Sequence, residues 1–123
     1  DVYKRQHQMI YKKRDLIAEY FAKKIALLGH FSHIILFGST VRKQDRFNSD
    51  IDIALVLQDN SIEIRALRDK INDIMLDILL KDELVINWLI ISQEEWRDPS
   101  SPFLQNLKKE GRILWENDQI LLN

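Results

Sequence analysis

The chain has 123 residues, no cysteine and a formal net charge of -1. This length suits one domain with a single core, and the lack of cysteine excludes disulfides and thiolate-held zinc. A near-neutral charge provides no general attraction to nucleic acid, so we do not expect template binding. No apolar run reaches the ~18 to 20 residues of a membrane span and no apolar leader opens the chain, so we expect a cytoplasmic protein without a membrane partner.

The first predicted element is an amphipathic helix from about His7 to Leu28. We interpret residues 1–6 as a non-native or disordered leader, and residues 7–123 as a single domain. Apolar residues recur in the helix at spacings of seven, four, four and three, namely at Ile10, Ile17, Phe21, Ile25 and Leu28. Gly29 is a typical residue just past a helix end. The three histidines of the chain have no evident metal-ligand or triad partner, so we interpret them as structural or exposed.

Two short apolar runs follow, at residues 34–37 and 53–57, and both have the pattern of buried strands. A Gly-Ser turn and a polar loop join them. We expect a short helix from Ser39 to about Gln44, with its N-terminus facing a ligand, and then a crossover loop that ends at Ser49. Any chemistry would therefore lie at the ends of these strands.

Asp50 and Asp52 are two residues apart at the start of the second strand, so their carboxylates project from the same face. Paired carboxylates on a rigid strand suit Mg²⁺, which usually takes one or two protein carboxylates and completes its shell with water and phosphate. Gly38 lets the backbone approach a ligand closely, and Ser39 at a helix start presents N–H groups to an anion. Together these features favour a nucleoside triphosphate as ligand.

The chain has Gly38-Ser39, then ten residues, then Asp50-Ile51-Asp52. This pattern resembles the GS-x10-DxD motif of the minimal nucleotidyltransferases, small members of the DNA polymerase β superfamily. The alternative is a structural βαβ turn with surface acids. Arg42 and Ser49 also fit the usual motif, and the resemblance adds them to the phosphate-binding set. Arg42 either contacts phosphate or pairs with an acid that shapes the site. Lys43 departs from the motif, because the family often has glycine there.

The resemblance implies an α/β fold, with a small mixed sheet and helices packed on it. It also implies transfer of a nucleoside monophosphate, from ATP or another triphosphate, to a hydroxyl. Asp50 and Asp52 would hold Mg²⁺, with two ions in the active form, while Gly38 and Ser39 would hold the β and γ phosphates. There is no room for a fingers-like or acceptor-binding domain unless a second subunit supplies it, so we favour neither template-directed polymerisation nor antibiotic modification.

The resemblance also suggests a protein partner. Many such chains are encoded beside a small helical HEPN protein, a suspected toxin, which they neutralise by complex formation, by adenylylation, or both. We therefore expect the antitoxin half of a toxin-antitoxin pair, with adenylylation as its activity. The alternative is a catalytically weak binding module that acts by docking onto the partner. A homodimer is left open.

A second long helix is predicted by a core-facing stripe of apolar residues with three-four spacing. The stripe consists of Ile64, Leu67, Ile71, Ile74 and Ile78. Asn60 and Glu63 are predicted as the capping pair that opens this helix. Glu83 to Ser92 is predicted as the third strand. Active family members usually carry a third carboxylate on this strand, and here Asn87 is the best-placed polar residue. Glu83 would lie on the same face, about 13 Å away along an extended strand.

The tail is predicted as a loop over residues 93–100, followed by a helix with Ser101 as N-cap, Pro102 at its first position and Gly111 just past its end. Its apolar face is predicted at Phe103, Leu104 and Leu107. Trp115 and residues 120–122 lie beyond the obvious core. As apolar residues near a terminus, they either pack onto the domain or serve a partner surface.

Overall fold

The structure is a computed structural model, and it describes residues 2–38, 50–60 and 62–117. Its elements in chain order are α1 (Val2–Ala26), β1 (Phe31–Phe37), β2 (Ile51–Leu57), α2 (Ile64–Asp82), β3 (Ile86–Ile91), α3 (Gln93–Arg97), α4 (Pro102–Glu110) and β4 (Arg112–Glu116). The strands form one sheet in the order β3-β2-β1-β4. β1 is antiparallel to β2 and β4, and β2 is parallel to β3. The predicted mixed sheet with packed helices is confirmed.

The two faces of the sheet have separate cores because strand side chains alternate between faces. On one face, apolar residues of α1 and α2 pack against the strands, including Phe21, Ile71 and Leu55. The other face carries a smaller core under α3 and α4, formed by Ile35, Ala54, Val56, Ile91, Leu104 and Leu107. Asp52, Ala54 and Val56 are every second residue of β2, so the Asp52 side chain lies on the same face as the smaller core.

Helix α1 buries three members of the predicted stripe, since Ile17, Phe21 and Ile25 are all in the larger core. Gly29 follows the helix with a φ of +82°, as expected of a residue past a helix C-terminus. The helix begins at Val2, earlier than predicted. Residues 2–6 therefore belong to α1. The non-native origin of this segment and the domain division at residue 7 stay predictions.

Helix α2 differs from its prediction at both ends. Its N-cap is Glu63, whose side chain accepts a hydrogen bond from the Arg65 N–H, so the predicted cap at Asn60 is wrong. At the other end, Glu83 is the C-cap in a left-handed conformation (φ +56°), and its N–H donates to the Leu79 carbonyl. β3 begins three residues later. Glu83 is thus not on the strand, and it cannot be considered a substitute for the third carboxylate on that basis.

The tail contains more regular structure than predicted. Residues 93–97 form α3 rather than a loop, because Ser92 and Glu95 make a capping box, in which each side chain accepts a hydrogen bond from the other residue's N–H. Helix α4 has the predicted limits, with Ser101 as N-cap and Gly111 as C-cap. Phe103 is 47% exposed, so it does not belong to the buried face with Leu104 and Leu107.

Strand β4 was not predicted, and it forms the edge of the sheet beside β1. Its Trp115 pairs with Ile34 and packs against the larger core, so this residue contributes to the domain interior. Residues 120–122, the other apolar part of the tail, lie outside the described residues. Within the described part of the chain, no helix combines the length and the apolar character needed to cross a membrane.

Candidate functional site

Three neighbouring strands place Phe37, Asp52 and Asn87 in one row across the sheet. Phe37 pairs with Asp52 across the antiparallel β1–β2 contact, and Asp52 pairs with Asn87 across the parallel β2–β3 contact. Directly paired residues point to the same face of a sheet. The row therefore lies on the smaller-core face, at the end where β1 finishes and β2 and β3 begin.

Asp50 lies immediately before β2 and completes the acidic group. Its Oδ2 accepts a hydrogen bond of 2.8 Å from the Asn87 side-chain amide. The backbone beside it is anchored too, because the Ile51 N–H donates to the Val85 carbonyl at 2.9 Å. Asp50 is exposed and Asp52 is half-buried, so the first carboxylate is the more open to a ligand.

Gly38 closes the site from the β1 side. Its φ is +76°, in the left-handed region that favours glycine. A Cβ built on this residue would lie 2.6 Å from Oδ2 of Asp52, so a side chain here would have to displace the carboxylate. Glycine is thus favoured for two reasons, the left-handed backbone turn and the Asp52 carboxylate in the space beside it.

A cavity of about 280 Å³ adjoins this cluster on the side of α4, and Gly38 is part of its lining. The other lining residues come from the end of β1, from α4 and from the residue after it: Phe37, Phe103, Asn106, Leu107, Glu110 and Gly111. Leu104 and Leu107 are buried beneath α4 and hold the helix against the sheet. The acidic cluster and the cavity therefore meet at one backbone position.

The predicted site residues divide into two groups. Gly38, Asp50, Asp52 and Asn87 are brought together at one end of the sheet, whereas Ser39, Arg42 and Ser49, like Lys43 and the predicted helix around them, lie outside the described residues.

The cavity residues Phe103, Asn106 and Glu110 were not predicted as site residues, and Phe103 was assigned to the apolar face of its helix. Their spacing of three and four was available as a signal, because residues so spaced share one face of a helix. The sequence does not indicate that this face of α4 lies beside Gly38.

The donors in the cluster suit a magnesium ion. Across residues 2–38, 50–60 and 62–117, no group of three or more histidine, cysteine or acidic side chains is placed to hold a metal. Among the described residues, the cluster therefore has two carboxylates, those of Asp50 and Asp52, and no third acidic side chain. This hard oxygen set fits Mg²⁺, which is commonly bound by one or two carboxylates together with substrate phosphate, and it does not fit a closed zinc site.

Comparison with known proteins identifies the family. Residues 15–120 match the family described as polymerase beta, nucleotidyltransferase. The chain belongs to this nucleotidyltransferase family. A candidate protein adenylyltransferase of Methanocaldococcus jannaschii is 34% identical over 95 residues, which cover 76% of this nucleotidyltransferase and 88% of the relative.

Solved structures support the fold of this nucleotidyltransferase. A candidate nucleotidyltransferase from Sulfolobus solfataricus has a TM-score of 0.64 at 13% identity, over 92% of this chain and 89% of that one. A toxin-antitoxin structure with AMP-PNP has a TM-score of 0.55 at 22% identity, over 83% and 76% of the two chains. A mutant of the toxin-antitoxin MntA-HpeT has a TM-score of 0.50 at 23% identity, over 81% and 75%. At these identities the likeness concerns the fold alone.

Proposed function

We propose that this nucleotidyltransferase transfers AMP from ATP to a hydroxyl group on a partner protein. The acceptor oxygen would bond to the α phosphorus while the bond from that phosphorus to the bridging oxygen of pyrophosphate breaks. The hydroxyl proton would leave to solvent or to a base, and pyrophosphate would be released. The observation that carries the proposal is the convergence of Asp50, Asp52 and Gly38 at one end of the sheet.

Each described residue has a part in this reaction that follows from its position. Asp50 and Asp52 would hold Mg²⁺, two ions in the active form, which neutralises phosphate charge and stabilises the attacking and leaving oxygens. Gly38 would let the triphosphate approach the backbone beside them, because it has no side chain of its own and a larger residue would displace the Asp52 carboxylate. Ser39, with Arg42 and Ser49, is proposed from the sequence motif as a further phosphate contact. The protein's contribution is mainly positioning and charge stabilisation.

The relatives support the choice of nucleotide and acceptor. The Methanocaldococcus relative is named for transferring an adenylyl group to protein, and one structural neighbour is a toxin-antitoxin with the ATP analogue AMP-PNP. These names favour ATP as donor and a protein as acceptor. We further propose that the partner is a helical HEPN-type toxin and that the chain acts as its antitoxin in the cytoplasm.

A second candidate function is that of a binding module that neutralises the partner by docking, with little transfer. Asn87 favours it, because this residue pairs with Asp52 at the position where a third carboxylate is expected from the resemblance. A neutral amide lacks the charge that helps to ionise an acceptor hydroxyl. The two functions share the nucleotide site and differ in whether AMP leaves it.

Transfer is tested with ATP labelled on either its α or its γ phosphate, using the protein encoded beside this chain as acceptor. The proposal predicts label on the acceptor from the α position only, and loss of that label with Asp52→Asn. Asp73→Asn, on the exposed side of α2, is the matched control and should keep activity. Label from the γ position would instead indicate a kinase. A tight complex without label from either position would favour docking.

A further inference from the structure

The cavity beside Gly38 lies where a nucleotide bound at the acidic cluster would extend. Gly38 follows Phe37, which pairs with Asp52, so that a Cβ on Gly38 would meet the Asp52 carboxylate; the same glycine lines the cavity. A triphosphate held near Asp52 would therefore have space for its remaining part next to α4. The volume of about 280 Å³ lies just below the ~300–1,000 Å³ typical of small-molecule pockets, which is enough for one ring system.

The walls of this cavity suit a flat aromatic ring. Phe37 and Phe103 meet edge to face, with ring centroids 5.6 Å apart and planes at 81°, and Leu107 supplies a buried apolar side. Phe103 nevertheless leaves 47% of its surface exposed. A nucleobase stacked on Phe103 would cover this surface, as bases commonly do on aromatic side chains.

Asn106 and Glu110 give the cavity its polar character, and they are one helical turn apart on α4. A side-chain amide can donate from its NH₂ group and accept at its oxygen, which matches the adjacent N7 acceptor and N6 donor of adenine. The corresponding edge of guanine presents two acceptors, O6 and N7, so the amide can satisfy only one of them. The Glu110 carboxylate would accept from the N6 amino group and would repel O6.

Hydrogen bonds outside the cavity fix the position of α4, which carries Asn106 and Glu110. Gln105 donates from its side-chain amide to the Pro99 carbonyl at 3.3 Å, and Lys108 Nζ donates to the Trp96 carbonyl at 2.8 Å. The Ser101 hydroxyl accepts from the Leu104 N–H at the helix start. Asn106 is thus presented from an anchored element, which a site that discriminates between bases requires.

We propose that this cavity is the base-binding half of the nucleotide site and that Asn106 and Glu110 make it select adenine over guanine. The inference rests on the proposed function, because it takes the phosphates to lie at Asp50 and Asp52. It goes further by naming the residues that choose the nucleotide. Stacking on Phe103 would supply affinity for any base, and the polar pair would supply the preference.

Binding of three probes with Mg²⁺ tests this: ATP, GTP and inorganic tripolyphosphate, each titrated calorimetrically into the full chain. Asn106→Leu should reduce the ratio of ATP to GTP affinity roughly five- to a hundredfold, the usual value of one bidentate base contact. Phe103→Ala should weaken ATP and GTP together. Tripolyphosphate should bind equally to parent and variants, since it has no base. Gln58→Leu, at an exposed position just after the far end of β2, is the matched control and should change none of the three.

Two results would overturn the inference on its own. A preference for GTP in the parent, or an ATP to GTP ratio that Asn106→Leu leaves unchanged, would exclude the proposed readout while leaving the phosphate site intact. A variant that lost tripolyphosphate binding as well would show damage to the acidic cluster, and Asn106→Ser would then replace Asn106→Leu, with the same expected fall in the ratio. Absence of tripolyphosphate and nucleotide binding in the parent would overturn the proposed function itself.

Discussion

Asn87 donates a hydrogen bond of 2.8 Å to Asp50 while its backbone position pairs with Asp52. One neutral amide thus contacts the first carboxylate and lies beside the second. In the absence of metal, this arrangement lowers the repulsion between acids by giving one of them a donor. The family resemblance predicts a third acid at position 87. Because this residue is an asparagine, it adds no negative charge to the site.

Asn87→Asp should therefore lower the stability of the metal-free protein and raise its affinity for metal. Without metal, the new carboxylate loses the hydrogen bond to Asp50 and repels both acids, so the free energy of unfolding should fall by about 1 kcal/mol or more. Mg²⁺ should restore it, and AMP transfer should become faster. Denaturation in EDTA and in Mg²⁺ measures the first effect, with Asn60→Asp on an exposed loop as control. Equal stability in both buffers would mean that position 87 does not face the metal.

Gly38→Ala should damage both the fold and the site. The left-handed φ of +76° costs an alanine about 1–2 kcal/mol, and its Cβ would also meet Asp52 Oδ2 at 2.6 Å. Gly29 is a matched control, since its φ is +82° and a Cβ there would meet nothing within 4 Å. Chemical denaturation should show a larger loss for Gly38→Ala than for Gly29→Ala, and only the former should weaken binding of ATP with Mg²⁺. Identical effects would remove the argument that Asp52 requires this glycine.

His33 should make stability depend on pH. Burial lowers its pKa below the ordinary 6.5, and Lys108 acts in the same direction, while Glu116 at 3.5 Å raises the pKa without compensating for the burial. A base with a lowered folded pKa favours folding in its neutral form. Its contribution is present above about pH 6.5 and is lost as the pH falls through the folded pKa.

The test is thermal or chemical denaturation between about pH 7.5 and 5.5. The parent should lose stability towards the acid end, and His33→Gln should lose less, because glutamine does not titrate. His30→Gln, at an exposed position, should keep the parent's slope. A steeper loss in His33→Gln than in the parent would mean that the ion pair with Glu116 outweighs burial.

Local patterns in the sequence predicted the helices and the acidic pair because they depend on short spacings. The stripes of α1 and α2 follow from helical periodicity, and the shared face of Asp50 and Asp52 follows from strand alternation. The capping box of Ser92 and Glu95 was also visible as Ser-x-x-Glu, so the loop prediction over α3 missed a local signal rather than a tertiary one.

Other features depend on contacts distant in sequence. β4 is a five-residue strand that is defined by its pairing with β1, and nothing within Arg112–Glu116 indicates that partner. Glu83 directly precedes an apolar run, so it looked like a strand residue, although α2 continues to Asp82 and a left-handed glutamate ends it. The cavity likewise needs α4 placed against Gly38, and its volume cannot be inferred before that packing is known.

The metal-dependent binding of ATP tests the assignment of Asp50 and Asp52 most directly. Calorimetric titration should show binding by the parent in Mg²⁺ that EDTA abolishes. Asp52→Asn should lose most of this binding because the amide keeps the shape of the side chain and removes the charge that attracts the ion, while circular dichroism should show an unchanged fold. Equal binding of ATP by Asp52→Asn and the parent in Mg²⁺ would contradict a nucleotidyltransferase site built on this carboxylate.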